Sequence, residues 1–272
     1  MRFAKIGPRL HQSYFMQHPL AEYRTLLEQI LEHNYRFLTA CQYATLIRDN
    51  NPPNVPVCIL RVDVDTDPCG AGRMFEVEQE LGVRSTYYFR LSTIDRALIA
   101  RVALHGSEVG YHFEELSTLA HHRGLRRGFD IALIRDELRR GFRNNVERFC
   151  ELTGVTPRTV AAHGDFLNRR LGVMNNAFVD RQLLDEVGII AEISQIGLWQ
   201  RGTARVADRP APVWWQPCPP QIMLKKSPPV LWLVLHPRQW IGNWRANLRA
   251  DLSRAFAEAE YMWNRLTAAT HA

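Results

Sequence analysis

The chain has 272 residues, 46% of them apolar and 23% charged, with a formal net charge of +6. That length suits one large α/β domain or two small ones, and the balance is that of an ordinary soluble enzyme. The arginines are scattered, with local clusters only at Arg123-Arg126-Arg127 and Arg139-Arg140, so solvated helix faces are expected and no nucleic-acid partner.

Five cysteines form an odd set without CxxC spacing, which argues against a disulfide framework and for a reducing compartment. The first residues lack the apolar core of a signal peptide. No apolar run approaches the ~20 residues of a membrane helix; the longest, Pro229 to Leu235, is strand-sized. A cytoplasmic location and no membrane span are expected.

In chain order, residues 1–17 read as irregular. Leu20, Tyr23, Leu26, Leu27, Ile30 and Leu31 recur at helical spacing and predict a helix over 19–33. Thr39 is placed to cap a second helix, ended by Asn50-Asn51-Pro52-Pro53. Residues 1–55 are therefore expected to be a helical segment packed on a domain spanning 56–272. From there strands and helices alternate. Strands are predicted at 57–65, 85–90, 108–111, 159–162, 189–194 and 230–235, with two weaker ones near 213–216 and 221–224. Helices are predicted at 70–81 (closed by Gly82), 93–104 (capped by Ser92 or Thr93), 130–152 (ending near Gly154), 180–187 and 244–266. The last carries Trp244, Leu248, Leu252, Phe256, Ala259, Trp263 and Leu266 on one stripe. This order predicts a single α/β domain: an irregular or incomplete (β/α) barrel of about seven parallel strands, with a doubly wound open sheet as the alternative.

The most informative stretch is Arg61-Val62-Asp63-Val64-Asp65. Side chains alternate along a strand, so Arg61, Asp63 and Asp65 share one face while Cys58, Leu60, Val62 and Val64 share the other, wholly apolar one. Carboxylates carried into an interior need a metal, a cation or water beside them. Three more predicted strands end in polar residues: Tyr111-His112-Phe113-Glu114-Glu115, His163-Gly164-Asp165 and His236-Pro237-Arg238. In a parallel barrel all these ends open at one face, where catalysis sits. Acids and histidines from separate strands suit a divalent ion of the zinc type with an open position for water, other first-row metals remaining open. A spare carboxylate can accept a proton from that water and a histidine can donate one to a leaving group. The sequence alone does not decide which of Asp63 and Asp65 is ligand and which is base.

These strand ends resemble the polysaccharide deacetylase family, carbohydrate esterases of the nodulation-factor deacetylase type. The likeness spans roughly residues 57–240. Arg61-Val62-Asp63-Val64-Asp65 looks like a divergent form of the family's first acidic motif. Gly82 to Phe89 is similar to its second strand, Glu108 to His112 to its histidine-bearing segment, and Leu235-His236-Pro237 to its closing motif. The resemblance implies an incomplete barrel that removes acetyl groups from N-acetylated saccharides with a divalent metal. It implies Asp63 as base, His236 as general acid, and Asp65 and His112 as metal ligands. The family's second histidine, four residues after His112, is Leu116 here, so Glu114, Glu115 or His163 must fill that place; His163 is the choice made. Arg61, Glu114 and Trp240 are expected to contact substrate, Trp240 as a stacking wall. Hydrolysis of a small non-sugar amide, and an inactive barrel that binds glycan or protein, are the competing readings. Oligomeric state is not readable from the sequence.

Overall fold

The computed structural model describes His11, residues 20–194 and residues 202–267, so the irregular segment expected over 1–17 lies almost wholly outside the described residues. The chain runs through α1 (Leu20–Glu32), β1 (Arg36–Leu38), α2 (Ala40–Arg48), β2 (Val57–Val64), α3 (Pro68–Leu81), β3 (Thr86–Phe89), α4 (Arg96–Leu104), β4 (Glu108–Phe113), α5 (Glu115–Arg123) and α6 (Arg135–Thr153). It continues with β5 (Thr159–Ala162), α7 (Phe166–Leu171), α8 (Arg181–Glu186), β6 (Ala191–Glu192), β7 (Thr203–Asp208), β8 (Trp215–Gln216), α9 (Pro220–Leu224), β9 (Val230–Leu235), α10 (Pro237–Trp240) and α11 (Trp244–Thr267).

Local chemistry explains most of these boundaries. Thr39 and Gln42 form a reciprocal capping box at the start of α2. Gly82, at φ 64°, ends α3 in the left-handed conformation that glycine adopts without steric cost. Helix α4 starts later than expected because Asp95, not Ser92 or Thr93, accepts the Ala97 and Leu98 N–H groups. The strand expected near 221–224 is instead the short helix α9, begun by Pro220 at a position that suits proline. The strand expected at 189–194 contracts to Ala191–Glu192. Strands β1 and β7 and helices α5 and α7 were not foreseen.

The strand order is β6-β5-β4-β3-β2-β9-β7-β8, parallel throughout except for β8, which runs antiparallel to β7. Strand β1 pairs with Val57–Ile59 along the edge of β2 that β3 takes over at Arg61–Val64. Strands β6 and β8 do not pair, so among the described residues the sheet stays open: an incomplete (β/α) barrel, as expected.

The alternation read from β2 holds. Cys58, Leu60, Val62 and Val64 belong to the core between sheet and helices. Val57 and Ile59 belong to an inner core with Tyr88, Ala161, Trp232 and Val234, into which α2 inserts Tyr43, edge-on to Trp232 at 5.7 Å. Gly110 on β4 makes room for the inward Tyr88 ring, since a Cβ there would lie 2.3 Å from it. The long helix α11 lies across α5, joined by Tyr261 Oη to the Leu125 carbonyl at 2.6 Å and His121 Nε2 to the Ala257 carbonyl at 2.8 Å. Its apolar stripe turns to the surface: Trp244, Leu248, Leu252, Phe256, Trp263 and Leu266 are all exposed. None of the described helices is long and apolar enough to cross a membrane.

Helix α1 is tied to the barrel by a buried carboxylate. Glu78 on α3 accepts from Tyr23 Oη at 2.5 Å, Ser85 Oγ at 2.5 Å and Tyr87 Oη at 2.7 Å. Burial pushes its carboxyl up to about 7 despite these three donors. A raised carboxyl favours the folded state while protonated, so its contribution is complete below the unfolded value of 4.5 and is lost as pH rises through about 7. Denaturant titrations at pH 5 and pH 8 should show stability falling across this window by at most ~3 kcal/mol through this group. Glu78→Gln should flatten that fall; an unaltered slope would contradict the assignment.

Candidate active site

The strand ends converge because the sheet curls. His163, just past β5, and Asp65, just past β2, are three strands apart, ~14 Å across a flat sheet, yet His163 Nδ1 lies 3.2 Å from Asp65 Oδ1. His236 enters from the other side at the end of β9, with Nε2 3.8 Å from Asp63 Oδ2 and 4.0 Å from Asp65 Oδ2. Four of the predicted site residues thus meet around Asp65, with His112 as the fifth member: its Nε2 is 3.2 Å from Asp65 Oδ1 and 3.7 Å from Asp63 Oδ2.

Asp65, His112 and His163 have the form of a metal-ligand set. The two histidine atoms lie 3.2 Å from Asp65 Oδ1 and 3.4 Å from each other. Ligands at zinc distances in a tetrahedron are separated by ~3.3 Å. Asp65 Oδ1 is buried and makes no well-aligned hydrogen bond despite those close nitrogens, as expected of atoms aimed at a shared point rather than at each other. The His112 Nδ1–H donates to the Ala161 carbonyl at 2.9 Å, which leaves Nε2 with its lone pair facing the cluster. The donor set of one carboxylate and two imidazoles fits zinc or another first-row ion.

Asp63 is held differently. Its Oδ1 accepts from Arg61 Nε at 2.6 Å, with both side chains almost fully buried, and its Oδ2 faces His112 and His236. Burial raises its carboxyl, but Arg61 and then His112 and His236 more than reverse this, so it is ionised at neutral pH. His236 owes its orientation to Asp208, a residue the sequence reading missed. Asp208 Oδ1 lies 2.5 Å from His236 Nδ1, and Oδ2 accepts the His236 backbone N–H at 2.8 Å and Trp240 Nε1–H at 3.0 Å. Burial pulls the imidazole down, but Asp208 and then Asp65 and Asp63 outweigh it, pushing it up to about 9. Asp208 ends β7, the strand not recognised in the sequence; the alternation of Thr203-Ala204-Arg205-Val206-Ala207-Asp208 was its available signal.

The three residues expected to touch substrate each meet a partner within the protein. Arg61 lies beneath Asp63, its guanidinium 5.4 Å over the Tyr88 ring, and is only 4% exposed. Glu114 is paired bidentately with Arg90. Trp240 is buried against Tyr23 and Trp215 and donates to Asp208. Of the candidates for the place of the absent histidine, Glu115 turns away to Tyr111 Oη and Asn145. Leu116 itself is fully buried in the outer core. His163 alone reaches the cluster.

No family model matches the chain, and no curated protein matches it. Among solved structures, the chain is similar to a mutant of BA3943, a CE4 family pseudoenzyme with restored enzymatic activity, at 14% identity and a TM-score of 0.43 over 73% of this chain. That match spans 64% of the other chain's length. It is also similar to the BpsB deacetylase domain from Bordetella bronchiseptica, at 15% identity and a TM-score of 0.45, covering 82% of this chain and 86% of that one.

Metal analysis of purified protein should find about one zinc-type ion per chain after reconstitution, matching the one three-ligand cluster among the described residues. His163→Ala should weaken retention by ~10-fold or more, whereas Glu114→Ala should leave it intact; equal retention in both would remove His163 from the ligand set.

Proposed function

We propose that the chain is a metal-dependent hydrolase of amide bonds, acting as a carbohydrate N-deacetylase. The observation that carries the reading is the division of labour between the two acids. Asp65 Oδ1 sits 3.2 Å from two imidazole nitrogens, while Asp63 is fixed by Arg61 through one oxygen and offers the other across the site to His236. On this basis Asp65, His112 and His163 are the ligands, Asp63 is the base and His236 is the general acid. The deacetylase resemblance implies the same roles, except that His163 takes the place of the family's second histidine, which is Leu116 here.

A divalent ion held there would acidify water and polarise the acyl oxygen. Asp63 Oδ2 then takes a proton from the attacking water, and Arg61 keeps that carboxylate ionised and in place. His236, which the Asp208 carboxylate holds toward its protonated form, donates its Nε2 proton to the amide nitrogen as the C–N bond breaks. The products are an amine and a carboxylate. Asp208 keeps the second His236 nitrogen engaged, so Nε2 is the atom that faces the substrate. The cleft over these groups encloses about 970 Å³, room for more than one sugar ring, which favours a saccharide over a small non-sugar amide.

The test is acetate release from N-acetylated sugars by zinc-loaded protein. Asp63→Asn and His236→Ala should each lower turnover by ~100-fold or more, the usual scale of a lost acid or base, with metal content unchanged. Absence of acetate release from every N-acetyl sugar would sink the reading, and undiminished turnover in either variant would sink that residue's role.

A further inference from the structure

The same cleft has a second chemical character away from the metal cluster. Its floor is acidic, and each acid lining it meets at least one neighbouring group, with Asp67 Oδ2 left without a hydrogen-bond partner. Asp63 faces Arg61, Asp65 the two imidazoles and Asp208 His236, while Asp67 and Asp165 cap the helices that follow them. Its wall and rim carry six arginines: Arg90, Arg169, Arg209, Arg238, Arg249 and Arg254. Arg90 is neutralised by Glu114 and Arg238 by Asp251, and Arg209 donates to the neutral side chain of Gln216.

Arg169 on α7 and Arg249 and Arg254 on α11 have no ion-pair partner among the described residues. The cleft-facing positions of α11 between and beside its two arginines are small: Ala246, Ala250, Ser253 and Ala257. Short side chains there leave the guanidinium forks an open trough. Three free cations converging on one trough exceed what a single carboxylate requires, since one guanidinium already satisfies a carboxylate bidentately. They suit a phosphate or diphosphate, which offers more charge and more acceptor oxygens.

We propose that the substrate is an N-acetylated sugar bearing a phosphate or diphosphate group, and that Arg169, Arg249 and Arg254 hold this group while the acetamide reaches the metal cluster. The proposal rests on the deacetylase reading for its chemistry and on the arginine trough for its specificity. A soluble sugar phosphate, a nucleoside-diphosphate sugar and a lipid-linked sugar diphosphate present the same anion.

The experiment compares kcat/KM of zinc-loaded protein for N-acetylglucosamine, its 1-phosphate, a uridine-diphosphate-linked form and a short prenyl-diphosphate-linked form. At least one phosphorylated substrate should be preferred over the neutral sugar by ~100-fold, the scale of two charge-assisted hydrogen bonds, and the favoured one identifies the source of the anion. In the double variant R249Q/R254Q the preference should collapse through KM, with zinc content intact. R245Q, on the same helix outside the cleft, should keep it. Equal kcat/KM for neutral and phosphorylated sugars, or a preference that survives R249Q/R254Q, would overturn the proposal. If no sugar is turned over, the deacetylase reading fails separately, and calorimetric binding of uridine diphosphate decides the anion site. Binding that R249Q/R254Q abolishes supports the site, and binding that is absent in the native chain or unchanged in the variant overturns it.

Discussion

The buried pair of Arg61 and Asp63 is the constraint on which the rest of the site depends. A carboxylate in an interior costs several kcal/mol unless a cation stands beside it, and here the arginine two residues earlier on the same strand meets it at 2.6 Å. That arginine is itself seated on the Tyr88 ring. Tyr88 Oη bonds Thr159 Oγ1, which donates to Glu108, and Glu108 accepts the Cys41 N–H at the start of α2. The interior is thus crossed by a chain of polar contacts running from the inserted helix to the strand ends. Loss of the arginine would leave an unpaired charge in the barrel and release Asp63 from its position together.

Curl does the second part of the work. A flat sheet would hold the histidines of β5 and β9 on opposite sides of β2, too far apart to share one carboxylate. The curl lets β4, β5 and β9 each deliver an imidazole to the end of β2, while the outer face stays apolar for the helices. A barrel left open also needs something to fill its interior, and Tyr43 of α2 against Trp232 contributes to that. Asp208 and Trp240 extend the same logic beyond the sheet centre, since each is buried and each fixes the next group inward.

How much of this was legible in the sequence depends on whether the signal was local. The two faces of β2 could be read because strand alternation is rigid, and the caps at Thr39 and Gly82 because their chemistry is local. The gathering of Asp63, Asp65, His112, His163 and His236 followed from one topological rule about parallel strand ends. Asp208 was hidden because β7 is short and carries only weak alternation, with two half-buried residues and the exposed Arg205 in its first half. Around Glu114 and Trp240 the partners Arg90 and Asp208 come from segments that spacing does not reveal, whereas Arg61 pairs with Asp63 two residues along its own strand. The stripe on α11 is the converse case, since helical periodicity identifies an apolar face without saying what it meets.

In the proposed site one divalent ion is bound by Asp65, His112 and His163, with Asp63 beside it but outside the coordination sphere. Anomalous diffraction at the zinc edge from crystals of the zinc-loaded protein tests this most directly. One strong peak is expected ~2.0–2.2 Å from an Asp65 carboxylate oxygen, His112 Nε2 and His163 Nδ1, with both Asp63 oxygens and His236 outside the coordination sphere. A peak coordinated by Asp63 or His236, or no peak at the strand ends, would contradict it.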